Sequence, residues 1–418
     1  MFYRDIEKEL ETYIDCKQAI FILGARQVGK TTLIKRMMTN FPESNRYYFD
    51  LEKMSDKKVF EGGVQNLLSF LEFHGLDLKT RNYIFVDEIQ YLKDFSNLLK
   101  LLVDYHSDSI KLFLSGSSSV QIQTGFQDSL AGRKYIFNLF PLTFREFLLF
   151  RGKDHLYGKL NRHFFDWKED ELRFGRDELL PLLYEFLLFG GYPEVAKIDQ
   201  FDRKVKYLTE IVNAYIVKDI RTMFTIEKID KFNHLVRYLA ANIANLLSIH
   251  SLATEVGIYH ETILNYLNIL EESFIVKRIP PFFQNKSTEL KKSSKLFFID
   301  NGIRNAVLEN FQKPEFRTDT GALAENFAFS QLYKTQPASS SLHFWRTRAK
   351  NEIDFVLNRQ GELLPIEIKS KIQKQQKILS QINLFRKEYQ CPAGYIVSIR
   401  DEFSTQNDIR VLPAYLLT

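Results

Sequence analysis

Cysteine is almost absent from this sequence: Cys16 and Cys391 are the only thiols in 418 residues. Two isolated cysteines provide neither a disulfide framework nor the paired spacing of a zinc site, which argues against a disulfide-stabilised secreted domain. No run approaches the roughly 20 apolar residues of a membrane-spanning helix. The charged N-terminal segment also lacks the apolar centre of a signal peptide. We therefore expect a cytoplasmic protein without a membrane partner.

The remaining composition is typical of a globular protein with several domains. Hydrophobic residues make up 45% and charged residues 26%, and 37 phenylalanines predict aromatic-rich cores. A chain of 418 residues is too long for one compact core. The formal net charge of +5 allows an anionic partner such as nucleic acid but does not require one.

A glycine-rich segment between an apolar run and a helical stretch predicts a phosphate-binding loop. Gly24 and Gly29 let backbone N–H groups surround phosphate oxygens. Lys30 places a charge at the terminal phosphates, and Thr31 offers a hydroxyl to Mg²⁺ where the helix begins. The predicted ATP-binding residues here are Gly24, Ala25, Arg26, Gln27, Val28, Gly29, Lys30, Thr31 and Thr32.

A second apolar strand, Tyr83 to Val86, ends in the acidic pair Asp87-Glu88. Asp87 is placed to hold Mg²⁺ through water, and Glu88 is placed to orient or activate the attacking water. The pair therefore predicts hydrolysis of the nucleotide rather than binding alone. The alternative is a strand end that carries two solvated acids.

A third strand, Lys111 to Leu114, runs into a serine-rich turn. Ser115, Ser117 or Ser118 is expected to contact the γ-phosphate or the attacking water. The sequence does not decide among them, and we assign Ser117. Arg133 precedes the next apolar strand and is a candidate to reach the active site of a neighbouring subunit; the alternative is a surface arginine.

These motifs, taken in order with LAGR and PLTFREF, resemble the AAA+ ATPases of bacteria and archaea. The segments FGGYPEV (Phe189 to Val195) and AYIVKDI (Ala214 to Ile220) are similar to the subgroup in which the ATPase domain precedes a C-terminal domain of unknown function. The resemblance implies a P-loop fold that forms homo-oligomers, with ATP and Mg²⁺ as cofactors.

The middle of the chain is predicted to be helical. Residues 150–231 are expected to form a lid on the nucleotide site, in which Asp219 and Arg221 sense nucleotide or, as we favour, pair with each other. Residues 232–298 give three helices, the second closed by Gly257, and then two strands. This is the order of a winged helix.

The predicted winged helix leaves its partner open. Its third helix has three glutamates and no lysine or arginine, which is unfavourable against phosphates. The strands and wing carry more positive charge, and contact would run through the DNA backbone, with DNA favoured over RNA. A protein-interaction module is the alternative. The basic residues concerned are Lys277, Arg278, Lys286, Lys291, Lys292 and Lys295.

The segments NEIDFVL and ELLPIEIKS predict a β-hairpin around residues 358–361. We pair Leu357 with Glu362, which places Asp354 opposite Pro365 and Glu352 opposite Glu367. Alternation then places two sets of side chains on opposite faces. Glu352, Asp354, Glu367 and Lys369 share one face; Ile353, Phe355, Leu357, Leu364, Ile366 and Ile368 share a buried apolar face.

Two carboxylates on one face can share a divalent cation, and a nearby lysine can stabilise an attacking hydroxide. With Glu325 on the preceding helix, Asp354, Glu367 and Lys369 match the motif of the PD-(D/E)xK restriction-endonuclease-like fold, which this part of the chain resembles; Gln381 is a weaker match. The resemblance implies Glu325, Asp354 and Glu367 as metal ligands, and Asp354, Glu367 and Lys369 as catalytic residues. A domain that only binds is the alternative.

The expected α/β architecture has four parts. They are an AAA+ P-loop core (1–149), a helical lid (150–231), a winged helix (232–298) and a restriction-endonuclease-like domain (299–418). Two functions are compatible with it. One is an ATPase that acts on nucleic acid and cuts it. The other is an ATP-driven oligomeric switch or scaffold whose C-terminal domains only bind DNA or a protein.

Overall fold

The computed structural model describes residues 2–92, 95–116, 130–162, 164–167, 175–220, 226, 228–283, 293–373, 375–401, 403–406 and 408–418, without the side chains of 164 and 217–219. The chain divides into two units. The N-terminal unit extends to Phe140 and includes Glu272–Phe274, and the C-terminal unit comprises Pro141–Glu271 and Ile275–Thr418. The predicted division into four domains stays a prediction. Among the described residues, no helix is both long and apolar enough to cross a membrane.

The N-terminal unit is built on a parallel sheet with the strand order β2-β3-β4-β1-β5. Its strands are β1 (Ala19–Leu23), β2 (Arg46–Asp50), β3 (Asn82–Asp87), β4 (Ile110–Gly116) and β5 (Lys134–Asn138). Its helices are α1 (Ile6–Glu11), α2 (Lys30–Met38), α3 (Met54–Glu61), α4 (Gly63–Phe73) and α5 (Phe95–His106).

The apolar strands of this unit explain its layers. Every residue of β1 and of β4 is buried, as expected for parallel strands covered on both faces. Because β4 lies between β1 and β3, the ends of all three strands meet at one edge of the sheet. The predicted strands at 18–23, 83–86 and 111–114 are confirmed, and the predicted strand from Tyr135 begins and ends one residue earlier.

Two buried cations attach the N-terminal segment to this sheet. Lys111 of β4 donates to the carbonyl oxygens of Tyr13, Cys16 and Gln18 at 2.7–2.8 Å. Arg4 donates to the carbonyl oxygen of Val28 at 3.0 Å and to that of Phe140 at 2.8 Å. The segment before β1 therefore supports both β4 and the loop that follows β1.

The C-terminal unit combines helices with a two-stranded and a six-stranded sheet among its described residues. Its helices are α6 (Phe144–Phe150), α7 (Asp154–Lys159), α8 (Arg176–Phe189), α9 (Pro193–Lys197), α10 (Phe201–Ile211), α11 (Ile229–Ala241), α12 (Ile249–Val256), α13 (His260–Glu272), α14 (Asn301–Val307), α15 (Thr320–Thr335) and α16 (Gln375–Tyr389), with a π-helical segment at Val212–Ile220. Its strands are β6 (Val276–Ile279), β7 (Lys295–Phe298), β8 (Ser340–Arg346), β9 (Glu352–Arg359), β10 (Glu362–Lys369), β11 (Gly394–Ser398), β12 (Ser404–Gln406) and β13 (Ile409–Pro413).

The FGGYP segment packs inside this unit, against the start of α14. The N–H group of Gly191 donates to Asp300 at 2.7 Å, and its carbonyl oxygen accepts from the N–H group of Leu142 at 2.7 Å. A Cβ atom at position 191 would lie 2.2 Å from the carbonyl oxygen of Leu142, so only glycine fits there. Arg221 and the side chain of Asp219 lie outside the described residues.

The three helices and two strands predicted for 232–298 occur in the expected order. Helix α12 ends at Gly257, whose φ of 69° is left-handed, and β6 pairs antiparallel with β7. The side chain of Arg278 is held by Glu271 and Asn268 at 2.6–3.1 Å. Three of the basic residues assigned to the wing, Lys286, Lys291 and Lys292, lie outside the described residues.

The hairpin of β9 and β10 forms, but its register differs from the prediction by two residues. Glu362 pairs with Arg359, and the connection is a two-residue turn of Gln360 and Gly361, both with positive φ. The pairing of Leu357 with Glu362 was therefore wrong. When the observed register is continued by one residue along the two strands, Asp354 lies opposite Glu367. A shift of two residues keeps the parity of each face, so these two acids still approach each other.

A β-bulge adds a second difference. Between β8 and β9 the register shifts by one residue, so that a single residue of β8 faces both Asp354 and Phe355. Ile353 and Val356 pack in one hydrophobic cluster although three positions separate them. Phe355 packs instead against the ring of Phe297, at 5.4 Å between centroids. The apolar residues are all buried, but the prediction that Ile353 and Phe355 share one face was wrong because the bulge interrupts the alternation.

Candidate nucleotide site and a buried acidic cluster

The predicted phosphate-binding loop connects β1 to α2. Helix α2 begins at Lys30, and Gly29 before it has a φ of 99°, a backbone conformation that favours glycine. At Gly24 the reason for glycine is close packing, since a Cβ atom would lie 2.2 Å from the carbonyl oxygen of Leu139. Arg26 and Gln27 are exposed, Thr31 is half-buried and Thr32 is exposed. The loop thus presents its backbone at the start of a helix, where an anion is stabilised.

Lys30 is the most buried charge of this loop, with 5% exposure. Its Nζ atom donates to the carbonyl oxygens of Gly24 at 3.1 Å and Ala25 at 2.9 Å. Burial lowers the pKa of Lys30 to about 8, although Glu88 and Asp87 act in the opposite direction. A desolvated ammonium whose hydrogen bonds go to neutral oxygens gains electrostatic stabilisation when a phosphate approaches.

Asp87 lies at the end of β3 within reach of two neighbouring strands. Its carboxylate accepts from the hydroxyl of Tyr48 on β2 at 2.9 Å and from the hydroxyl of Ser115 on β4. Burial, followed by the charge of Asp87, raises the pKa of Tyr48 far above its usual value, so that its hydroxyl remains a donor. Tyr48 was not predicted, because only the pairing of β2 with β3 brings it to Asp87.

Ser115 also fixes the residue that follows Asp87. Its hydroxyl oxygen accepts from the N–H group of Glu88 at 3.3 Å, and its side chain is fully buried. Glu88 has a left-handed backbone with a φ of 58°, and its carboxylate accepts from the side chain of Gln90. Ser115 is therefore occupied with the acidic pair. The assigned Ser117, like Ser118, lies outside the described residues.

The residues present fit a magnesium ion. Mg²⁺ prefers hard oxygen ligands and keeps several of its waters. The hydroxyl of Thr31 and the carboxylate of Asp87 are donors of this kind, on the two elements predicted to supply them. Their role as ligands stays a prediction.

Arg133 lies on the surface of the N-terminal unit. Its guanidinium group binds Asp104 in a two-pronged ion pair, with distances of 2.6 and 2.9 Å. Its hydrogen bonds lower the pKa of Asp104 below its usual value. This placement is compatible with a surface arginine, and its predicted role at a neighbouring subunit stays a prediction.

In the C-terminal unit, three predicted residues come together on β9 and β10. The ammonium of Lys369 lies 2.7 Å from a carboxylate oxygen of Glu367 and 3.5 Å from one of Asp354. The backbone supports both acids: Asp354 accepts from the N–H group of Ile368 at 2.8 Å, and Glu367 accepts from that of Asp354 at 3.3 Å. The predicted grouping of Asp354, Glu367 and Lys369 is therefore present.

A second lysine, Lys295 at the start of β7, enters the same cluster. Its Nζ atom lies 2.9 Å from Glu325 on α15, 2.7 Å from Glu352 and 4.0 Å from Asp354 on β9. Its side chain is 3% exposed. Arg346 binds the other oxygen of Glu352 at 3.1 Å. We did not predict this contact, because we assigned Lys295 to the predicted wing.

Burial and mutual repulsion dominate the electrostatics of this acidic cluster, which comprises Glu325, Glu352, Asp354 and Glu367. Burial and the charge of Asp354 raise the pKa values of Glu325 and Glu367. Burial by itself would lower the pKa of Lys295, but the neighbouring carboxylates raise it above its usual value; Lys369 behaves in the same way. Both ammonium groups therefore stay charged at neutral pH.

The residues of the acidic cluster do not fit a divalent metal in this arrangement. Among the residues that the structure describes, no group of three or more His, Cys, Asp or Glu side chains is arranged to hold a metal ion. The carboxylates predicted as ligands are instead oriented towards ammonium groups. The metal-binding roles of Glu325, Asp354 and Glu367 stay a prediction of the resemblance.

Three family models match successive parts of the chain. Residues 16–148 match a family described as an AAA domain. Residues 180–314 match a domain of unknown function (DUF8612), and residues 320–417 match another (DUF4143). Together with the parallel sheet and the loop before α2, the first match supports an AAA-type P-loop fold for residues 16–148. It confirms that part of the predicted resemblance; the winged helix and the nuclease-like domain stay predictions.

Two relatives that cover most of this chain are described as uncharacterized proteins. The uncharacterized protein MJ1544 of Methanocaldococcus jannaschii is 26% identical over 357 residues, which is 84% of this chain and 75% of that protein. An uncharacterized protein of Haemophilus influenzae is 22% identical over 377 residues, 87% and 86% of the two chains. The RuvB Holliday junction branch migration motor of Thermotoga maritima has a TM-score of only 0.30 at 16% identity, covering 69% of this chain and 94% of its own. That likeness is too weak to support a functional conclusion.

Proposed function

We propose that the N-terminal unit binds ATP with Mg²⁺ and hydrolyses it. The observation that carries the proposal is the meeting of Lys30, Asp87 and Glu88 at one edge of a parallel sheet, beside a loop that begins a helix. A phosphate at this edge would meet the buried ammonium of Lys30 and the N–H groups of the loop. Bound Mg²⁺ would offset the negative charge of the phosphates.

The acidic pair supplies the chemistry of hydrolysis in this proposal. Asp87 is held by Tyr48 and Ser115, which leaves its position defined before nucleotide binds. Glu88 is half-exposed at the same edge and orients the attacking water or accepts its proton. Ser115 couples the two residues because it contacts Asp87 and the backbone of Glu88. It is thus a positioning residue for the pair.

The test compares Glu88→Gln with wild type in nucleotide binding and in phosphate release. The variant should bind ATP with near wild-type affinity and hydrolyse it on the order of 10²–10³ times more slowly, since a group that positions or deprotonates water is lost. Hydrolysis at the wild-type rate would disprove the role assigned to Glu88. Gln90→Ala is the matched control, because it removes a side chain that donates to the Glu88 carboxylate and leaves that carboxylate in place.

Assembly into a homo-oligomer with Arg133 acting between subunits is the second part of this proposal. It is supported by the match to an AAA domain and by the partly exposed side chain of Arg133. Arg133→Ala and Lys30→Ala should each be inactive, and an equimolar mixture should recover activity because intact sites form between unlike subunits. No recovery in a mixture that assembles would count against a role in trans.

The partner of the C-terminal unit has two candidates. Action on nucleic acid, DNA before RNA, is supported by the grouping of Asp354, Glu367 and Lys369, which resembles a phosphodiester-cleaving site. A switch or scaffold that binds without cutting is supported by Lys295 in the acidic cluster and by Arg278, which is paired with Glu271. We favour binding without cutting.

The response of ATP hydrolysis to polymers tests whether the partner is nucleic acid or protein. ATP hydrolysis should be measured with double-stranded DNA, single-stranded DNA and RNA, at low and moderate salt. Severalfold stimulation by one polymer, weakened by salt, would make nucleic acid the partner. No stimulation by any polymer, with basal hydrolysis intact, would favour a protein partner at the predicted winged helix.

A further inference from the structure

Lys295 connects three elements of the C-terminal unit through one ammonium group. It begins β7, and its Nζ atom contacts Glu325 of α15 and Glu352 of β9 at hydrogen-bond distance. The stem of the side chain is enclosed, and the ammonium lies 5.5 Å from the ring centre of Phe344 on β8. A lysine so completely buried is ordinarily found only where its charge is paired.

The same ammonium lies between two of the predicted metal ligands, Glu325 and Asp354. Asp354 lies between two lysines, with one carboxylate oxygen 4.0 Å from Lys295 and the other 3.5 Å from Lys369. A magnesium or manganese ion held by Glu325 and Asp354 would need oxygen atoms about 2.0–2.2 Å away on every side. The ammonium of Lys295 lies between these two carboxylates, and its charge repels a second cation beside it.

We propose that Lys295 is the resident cation of the acidic cluster, taking the position that the nuclease-like resemblance gives to a divalent metal. While β7 holds Lys295 there, the C-terminal unit carries no divalent ion at this cluster and has no metal with which to cleave a phosphodiester. The lysine neutralises buried carboxylates and attaches β7 to α15 and β9. This inference does not depend on the proposed hydrolysis of ATP.

The test is a count of bound Mn²⁺ in the absence of nucleotide, by equilibrium dialysis and by the electron paramagnetic resonance signal of free Mn²⁺. Wild type and Asp354→Asn should bind the same amount, because the cluster contributes no site. Lys295→Met should gain about one ion per chain, and the gain should disappear when Asp354→Asn is added. Bound Mn²⁺ should also raise the melting temperature of Lys295→Met by several degrees more than that of wild type.

Lys204→Met is the matched control. Lys204 is a lysine of the same unit with the same 3% side-chain exposure, and it pairs with Glu185 outside the cluster. Removing it deletes a buried ammonium from this unit but should create no Mn²⁺ site. A gain of Mn²⁺ by both lysine variants would show a general effect of lost charge and would overturn the proposal.

Two further outcomes would also overturn it. One is Mn²⁺ bound to wild type and lost in Asp354→Asn, which would mean that the metal and Lys295 coexist. The other is a folded Lys295→Met that gains no ion. Should Lys295→Met fail to fold, Lys295→Gln, which keeps hydrogen-bonding capacity, replaces it. The comparison of wild type with Asp354→Asn needs neither lysine variant.

Discussion

Lys30 and Lys295 are two buried lysines in two different units, and their surroundings are opposite. Lys30 donates to backbone carbonyl oxygens, and burial lowers its pKa to about 8. Lys295 lies among carboxylates, which raise its pKa above the usual value. The first charge lacks a close anionic partner within its loop; the second is paired directly with two carboxylates.

The difference indicates how a buried charge relates to function. A lysine kept at an electrostatic cost is stabilised when an anionic ligand arrives, and the loop around Lys30 is open to such a ligand. A lysine that is fully paired stabilises its own surroundings and leaves no vacancy for a ligand. By this comparison the P-loop is prepared for binding, and the acidic cluster has already satisfied its need for a cation.

The largest effect should come from Lys30→Met, which removes the charge that we propose faces the phosphates. Nucleotide binding should fall by at least a hundredfold, measured with a fluorescent ATP analogue. Lys111→Met is the control, since Lys111 is also buried, also donates only to carbonyl oxygens and also has a pKa lowered by burial to about 8. It should keep nucleotide binding. Equal losses in both variants would mean that any buried lysine of this unit matters, and the comparison would fail.

Lys295→Met should lower the free energy of unfolding and not the affinity for nucleotide. Removing one partner of a buried ion pair leaves uncompensated charge and costs roughly 3–5 kcal/mol of unfolding free energy. Adding Glu325→Gln should recover part of the loss, because it removes one of the unpaired carboxylates. Chemical denaturation of the single and double variants measures both effects. A loss well below 1 kcal/mol would contradict the pairing described here.

The dependence on pH should separate the two lysines. Because the folded pKa of Lys30 lies below its unfolded value, its electrostatic cost is present below pH 8 and is relieved as the pH rises towards 10. The stability difference between Lys30→Met and wild type should therefore change by about 2–3 kcal/mol in favour of wild type from pH 7 to 10. For Lys295 the folded pKa is raised, so the stabilisation persists throughout this window. A stability difference between Lys30→Met and wild type that stays constant from pH 7 to 10 would contradict the contrast between the two lysines.

The smallest effect should come from Tyr48→Phe, which deletes the hydroxyl that Asp87 accepts from. One hydrogen bond to a charged group contributes about 1.5–3 kcal/mol, but Ser115 still holds the carboxylate. We expect a two- to tenfold lower rate of hydrolysis with ATP affinity nearly unchanged. Tyr47→Phe is the control, since its ring packs against Phe49 and Phe70. A larger fall in the rate of hydrolysis in Tyr47→Phe than in Tyr48→Phe would mean that the loss comes from disturbed packing.

The N-terminal unit was the more predictable of the two because its signals are local. The loop from Gly24 to Thr32 is a continuous motif, and Asp87 and Glu88 follow directly on an apolar strand. Tyr48 and Arg4 could not be found in this way, because each reaches the site through strand pairing or a contact distant in sequence. The match to an AAA domain confirms the coarse fold only.

The acidic cluster shows where sequence patterns fail. The alternation of side chains along the hairpin predicted that Asp354, Glu367 and Lys369 share one face. It did not predict the register of the two strands. The two-residue turn needs a positive φ at Gln360, which is uncommon for glutamine and gave no signal. No pattern in the sequence predicts the β-bulge beside Asp354 either. Lys295 lies 30 positions before Glu325, so no local motif could join them.

The position of Lys295 affects which segments of such proteins can be exchanged by gene fusion. The carboxylates of the acidic cluster fall within residues 320–417, whereas the lysine falls within residues 180–314, and these are two separate family models. A gene fusion that kept the later segment and exchanged the earlier one would pass on the acids without the counter-charge of Lys295. Such a chimera would have to acquire another cation or lose an acid. We therefore expect the two segments to occur together in the same proteins.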